Sequence, residues 1–191
     1  IPIVACERNT PYIKGTSVIR KLRAMIPYWL SDHCVFQTPD ARSYYSLISN
    51  ERCSVITNPI TAPDFTWKGN FDEKHLISIC RLHKQKNIQM TLDVVQSLKR
   101  KYPNIHLDIY GEGELKEQLQ KQIEERGLSN NINLCGTTSQ VFSKLAESSI
   151  FISTSDFEGI SNSMLEAMAV GVPMVCTDCP IGGTRLMLSC G

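Results

Sequence analysis

The chain lacks an excess of either charge. Its 191 residues carry 20 lysines and arginines against 19 aspartates and glutamates, a formal net charge of +1. A nucleic-acid groove or an acidic tail needs a one-sided balance, so neither is expected. No apolar run approaches the roughly 20 residues of a membrane-spanning helix. There is no internal repeat, no low-complexity tract, no Walker-type loop and no Gly-x-Ser-x-Gly elbow. Aspartates never stand two apart, so the paired carboxylates that commonly hold a divalent cation are missing. An initiator methionine is also absent, and the chain opens in the strand-like run Ile1-Pro2-Ile3-Val4. It is expected to be a middle piece of a longer protein, so the lack of a signal segment says little about the parent.

Cysteine, by contrast, is plentiful: there are eight, irregularly spaced and mostly beside apolar runs. Reduced, buried thiols in a cytosolic protein are the expectation. Cys176-Thr177-Asp178-Cys179 is a C-x-x-C, but no second pair or suitably spaced histidines accompany it, which argues against a zinc or redox role.

Apolar runs alternate with helical stripes along the chain. Strands are expected at 3–6, 34–37, 54–57, 76–80, 106–110, 132–135, 150–153 and 174–177. A helix opens at Pro39, others cover 88–101 and 140–147, and one carries Leu115, Leu119 and Ile123 before stopping at Gly127. Val18, Leu22, Met25 and Trp29 form a further stripe, ringed by Arg20, Lys21 and Arg23. That helix either packs on a core with a wet basic face or lies on a membrane surface. Residues 1–60 read as the end of a first α/β domain, 61–73 as a turn-rich linker and 74–191 as a second α/β domain. The class expected is α/β, a Rossmann-like parallel sheet with helices on both faces. Ligands of such sheets sit at the carboxyl ends of the strands.

The stretch 153–173 reads as strand end, loop, helix and turn. Its helical stripe is Met164, Leu165, Met168, Ala169 and Val172, stopped by Gly171 and Pro173. Glu166 is the only charge between Gly159 and Thr177. A carboxylate in so apolar a setting is costly without a partner. One reading makes Glu166 an acceptor for ligand hydroxyls, beyond a phosphate held at the helix N-terminus. The other makes it the fourth position of a capping box begun by Ser163. Arg81 and Lys86 follow the strand at 76–80, where they either neutralise a diphosphate or are ordinary solvated loop charges.

Glu158-x7-Glu166 followed by Ala-Met-Ala-x-Gly-x-Pro resembles the signature of retaining nucleotide-sugar glycosyltransferases of family 4. The resemblance runs from Cys53 to about Leu188 and implies the two-domain GT-B architecture. It implies that Arg81 and Lys86 hold the donor diphosphate and that Glu158 binds sugar hydroxyls, these three being the catalytic set. Glu166 would take the ribose hydroxyls, and Ile160, Ser161, Asn162 and Ser163, after Gly159, would offer N–H groups to the phosphates. Gly111 and Gly113 would wall the nucleotide pocket, and main-chain groups at Gly136 and Thr138 would read the base. The chain departs from the family pattern at Cys80, where members usually carry glycine before the arginine.

The function so implied is transfer of a sugar, with retention, from a nucleotide sugar, expected to be UDP-linked. The acceptor would be a saccharide or lipid-linked glycan in surface polysaccharide assembly. No cofactor or metal is expected, because the other main glycosyltransferase architecture uses Asp-x-Asp for its cation. The excised piece itself is expected to be inactive, with a parent in the cytoplasm, in peripheral contact with the inner membrane face. Two other classes remain open. One is a non-catalytic nucleotide-sugar-binding module. The other is a dinucleotide-dependent oxidoreductase, which Lys116 argues against by standing where a third fingerprint glycine belongs.

Overall fold

The structure, a computed structural model, describes residues 1–8, 18–61, 63–69 and 74–188. Cys190, linker positions 62 and 70–73, and the side chains of Val18, Arg20 and Lys21 lie outside the described residues. The chain divides into two compact units. One comprises residues 1–59, 157–161 and 178–191, and the other 60–156 and 162–177.

The first unit holds three strands, β1 (Val4–Glu7), β2 (His33–Phe36) and β3 (Cys53–Val55), parallel in the order β1-β2-β3. Between them run α1 (Val18–Leu30) and α2 (Pro39–Tyr44). Thr38 caps α2 by accepting from the Ala41 N–H at 3.0 Å, ahead of a proline at the first helical position. Phe36, Ala41, Tyr45, Ile48 and Ile181 form its core. Among the described side chains of the expected α1 stripe, Met25 is buried there, whereas Leu22 and Trp29 are exposed. Spacing alone suggested a wider contact face than the three short strands supply.

The second unit holds β4 (His75–Ile79), α3 (Ile88–Lys99), β5 (His106–Tyr110), α4 (Lys116–Glu125) and β6 (Ile132–Gly136). It continues through α5 (Val141–Glu147), β7 (Ile150–Ser153), α6 (Asn162–Val170) and β8 (Met174–Cys176). All the strand-to-strand pairings in it are parallel, in the order β6-β5-β4-β7-β8. Strand alternation sends Leu76, Leu107, Ile109, Ile132 and Ile152 to one face, where Ile88, Leu92 and Val95 of α3 and Leu119 and Ile123 of α4 close over them. Ile77 and Phe151, register partners and fully buried, point to the other face. Strand order reverses between β4 and β7, and at such a switch point a crevice opens outside the carboxyl ends.

In α6 the buried side chains are Met164, Leu165, Ala167 and Val170. Met168 and Ala169, expected on that face, are exposed instead. The stripe admits an i, i+3 or an i, i+4 register, and packing selects the first. The segment after β8 goes on into α7 (Gly183–Leu188). No described helix is long and apolar enough to cross a membrane.

Candidate functional site

The loop leaving β4 carries Arg81 and Lys86, and both its flanks are pinned within the second unit. On the β5 side, the Cys80 N–H donates to the Tyr110 carbonyl at 2.9 Å, and the Leu82 N–H to the Glu112 carbonyl at 2.9 Å. The Leu115 N–H returns to the Leu82 carbonyl at 3.1 Å. This contact is why the sequence reads Gly111-Glu112-Gly113. Gly111 has φ +141°, and a Cβ there would strike the Cys80 carbonyl, while one at Gly113 would lie 2.8 Å from the Leu82 nitrogen. Only glycine lets the two backbones approach so closely.

On the β7 side, the Thr154 hydroxyl donates to the carbonyls of Lys86, at 3.1 Å, and Asn87, at 3.0 Å. The Asp156 N–H donates to the Gln85 carbonyl at 2.9 Å. Asn87 is left-handed, caps α3 and donates to the Asp156 carboxylate at 2.8 Å. The loop bearing both cations is therefore held from each neighbouring strand, β5 and β7, with Arg81 exposed and Lys86 half-buried.

At the end of β6, Gly136 adopts φ +71°, and its carbonyl accepts from the Gly111 N–H at 2.8 Å. The Thr138 hydroxyl is engaged in the turn into α5, accepting from the Gln140 N–H at 3.0 Å. On α6, Asn162, Ser163 and Glu166 stand three and four residues apart and share the less buried side. Since the helix begins at Asn162, Ser163 lies inside its first turn rather than ahead of it. Burial pushes the Glu166 carboxyl up, with no partner charge contributing.

That shift fixes a pH dependence. A folded-state value above the unfolded one, about 4.3, gives stability that is present below the unfolded value and lost as pH rises through the folded one. Glu166→Gln is therefore expected to raise the melting temperature at pH 7 and leave it unchanged near pH 4. A lower melting temperature at pH 7 would contradict this, and an unchanged one at both pH values would favour the capping reading, since glutamine completes a capping box as well.

Glu158, Gly159, Ile160 and Ser161 belong to the first unit. The Glu158 N–H donates to the Pro180 carbonyl at 3.4 Å, and the Ile160 N–H points to Gln37 Oε1 at 3.4 Å. Gln37 in turn donates to Asn58 Oδ1 at 2.6 Å, and Asn58 donates to the Ile160 carbonyl at 3.4 Å. A Cβ at Gly183 would collide with the Gly159 carbonyl. Sequence reasoning passed over Gln37 and Asn58, whose only signal was a polar residue just beyond an apolar strand. None of the seven described cysteines is in a disulfide. Burial pushes the Cys179 thiol up, with a smaller push from Glu158, the reverse of what a reactive thiolate needs.

A further group was missed: His75, His106 and Asp108 offer ligand atoms within 4.8 Å of one another. Burial would raise the Asp108 carboxyl, but hydrogen bonds and charge from the two histidines outweigh it and hold the group well below the usual carboxylate range. Its signal was the matched starts of paired strands, His-Leu-Ile-Ser-Ile and His-Leu-Asp-Ile-Tyr.

A parallel sheet with a cation-bearing loop anchored at its switch point defines a doubly wound, Rossmann-like protein. Comparison with known proteins narrows the class. The family model described as "Glycosyl transferases group 1" matches residues 63–188, and the chain belongs to that family. The poly(glycerol-phosphate) alpha-glucosyltransferase of Bacillus subtilis is 32% identical over 160 residues, covering 82% of this chain and 24% of the relative. A Campylobacter jejuni alpha-N-acetylgalactosaminyltransferase acting on a diphospho-undecaprenol-linked sugar is 32% identical over 143 residues, covering 73% of this chain and 38% of that protein. The chain thus spans well under half the length of these relatives.

Among solved structures, Anabaena Alr3699/HepE in complex with UDP-glucose superposes with a TM-score of 0.84 at 18% identity, over 98% of this chain and 56% of that one. The pneumococcal O-GlcNAc transferase GtfA in complex with UDP and GlcNAc gives 0.74 at 19%, over 94% and 38%. The fold is that of GT-B glycosyltransferases.

Proposed function

We propose that the protein is part of a retaining, family 4 glycosyltransferase that moves a sugar from a UDP-linked donor to a saccharide or lipid-linked acceptor. The observation that carries this reading is the Arg81–Lys86 loop, fastened from both sides at the switch point of the second unit. In this proposal Arg81 and Lys86 hold the diphosphate and stabilise the charge that grows on the leaving group. The first N–H groups of α6, at Asn162 and Ser163, add the positive end of a helix dipole. The half-buried carboxylate of Glu166 accepts from the ribose hydroxyls, which would return the interaction that burial denies it. Gly111, Gly113, Gly136 and Thr138 form the backbone frame for the nucleoside. Glu158 is assigned to donor-sugar hydroxyls on the strength of the Glu158-x7-Glu166 pattern. Relatives named for glycerol-phosphate polymers and undecaprenol-linked glycans support a role in surface-polymer assembly.

In this scheme fixed cations replace a Lewis acid in the transfer step. Excess EDTA is therefore expected to leave the transfer rate of the full-length enzyme within about twofold. Loss of activity that magnesium or manganese restores would contradict it. The reading as a whole is tested by supplying UDP-sugars to the full-length enzyme and determining the anomeric configuration of the product. A product of inverted configuration, or turnover of no nucleotide sugar, would overturn it.

A further inference from the structure

At the other end of the second sheet, away from the nucleotide loops, lies a polar cluster with no part in the proposed transfer. His75 and His106 are register partners at the starts of β4 and β5, and Asp108 follows two residues on, so all three share a face. Asn133, the register partner of Asp108 on the edge strand β6, joins them. His75 Nε2 lies 3.0 Å from one Asp108 oxygen, and His106 Nε2 lies 2.9 Å from the other. Asn133 Nδ2 is 3.1 Å from both His106 Nε2 and Asp108 Oδ1.

Protons can satisfy Asp108, with His75, His106 and Asn133 all donating to it, and a cation is the alternative occupant of the same cluster. A ring nitrogen is either a donor or an acceptor at one moment. If His106 Nε2 is protonated, it and Asn133 Nδ2 both donate to Asp108 Oδ1 while standing 3.1 Å apart. If it is bare it accepts from Asn133 but sets its lone pair against the Asp108 carboxylate. A cation accepting both lone pairs resolves the second state, and Asn133 then donates to two ligand atoms and orients them.

The spacing fits. Two ligand atoms each about 2.1 Å from one ion stand about 3.0 Å apart at a right angle and about 3.4 Å apart at a tetrahedral angle. The side chains of His75, His106 and Asp108 keep 22%, 34% and 15% of their surface exposed, leaving water access to remaining coordination positions. Two imidazoles with one carboxylate suit zinc and neighbouring first-row ions, whereas magnesium and calcium prefer all-oxygen shells.

We propose that His75, His106 and Asp108 bind one divalent transition-metal ion of the zinc class. The site is structural. It ties the amino end of β4 to β5 across a sheet whose nucleotide loops lie about 15 Å away, one strand length of five residues. It is independent of the assignments made for Arg81, Lys86 and Glu166.

The test is a titration of the metal-stripped protein with zinc chloride, followed by calorimetry and thermal unfolding. One zinc per chain at this site is expected, with the melting temperature raised by about 3–8 °C at saturation and magnesium chloride giving no rise. His75→Gln combined with His106→Gln keeps all eight cysteines and is expected to lose that binding event and the stabilisation. Unchanged zinc binding in the double variant would assign the metal to thiols and overturn the site. So would no zinc-dependent stabilisation of the wild type, or an equal one with magnesium. Cobalt(II) on the wild type gives a readout that does not depend on the variant folding. A spectrum without thiolate-to-cobalt charge transfer is expected, and a strong charge-transfer band would overturn the proposal.

Discussion

Gly111→Ala is expected to cost about 3–4 kcal/mol of stability. Two penalties combine at this position. Its φ of +141° is one that a side chain rarely adopts, and a Cβ there would run into the carbonyl of Cys80, a residue whose own N–H is tied to the Tyr110 carbonyl at 2.9 Å. Strained backbone of this kind costs of order 1–3 kcal/mol by itself. The collision adds to it, because the neighbour is backbone and cannot turn aside. For a chain of this size each kcal/mol moves the melting temperature by roughly 2–4 °C, so a fall of about 10 °C is expected. Gly127→Ala provides the contrast. That glycine also has positive φ, +64°, but no atom lies within 4 Å of the added Cβ, and about 1 kcal/mol is expected. Thermal or urea unfolding of the two variants checks this. Equal losses would mean that the Cys80–Gly111 contact does not hold the Arg81 loop.

Arg81→Ala and Lys86→Ala are each expected to weaken UDP binding by about 1.5–3 kcal/mol, the worth of a charge-assisted hydrogen bond. That corresponds to roughly a 10- to 150-fold rise in Kd. Arg81 is exposed, so its removal should leave the melting temperature unchanged and separate loss of a ligand contact from loss of fold. Uridine, which carries no phosphate, should bind both variants and the wild type alike. Equal weakening of uridine and UDP would mean that these side chains shape the pocket rather than hold the diphosphate.

The alternation of strands and helices was legible because each element carries its own period. The runs at 76–80 and 106–110 became β4 and β5 to within a residue, since apolar β-rich segments bounded by turn residues have few alternatives. The cation positions were legible because they follow a strand directly. What the sequence did not disclose depends on contacts between distant segments. Phe157 to Ser161 belongs with the first unit because Gly159 and Ile160 meet Gln37, Asn58 and Gly183, an association that no local pattern encodes. The Gly-x-Gly after β5 looked like a nucleotide wall, yet its glycines are already required by the Cys80–Leu82 backbone. The exposure of Leu22 and Trp29 on α1, and the register chosen by α6, follow from how much surface the neighbouring elements offer. His75, His106 and Asp108 meet only because β4 and β5 pair in one particular register.

The central claim is that the carboxyl end of the second sheet recognises a nucleoside diphosphate through fixed cations. Calorimetric titration of the protein with UDP and, separately, with NAD tests it most directly. The account predicts saturable binding of one UDP per chain, at least about tenfold tighter than NAD. NAD binding as tight as UDP, or no UDP binding at all, would contradict it.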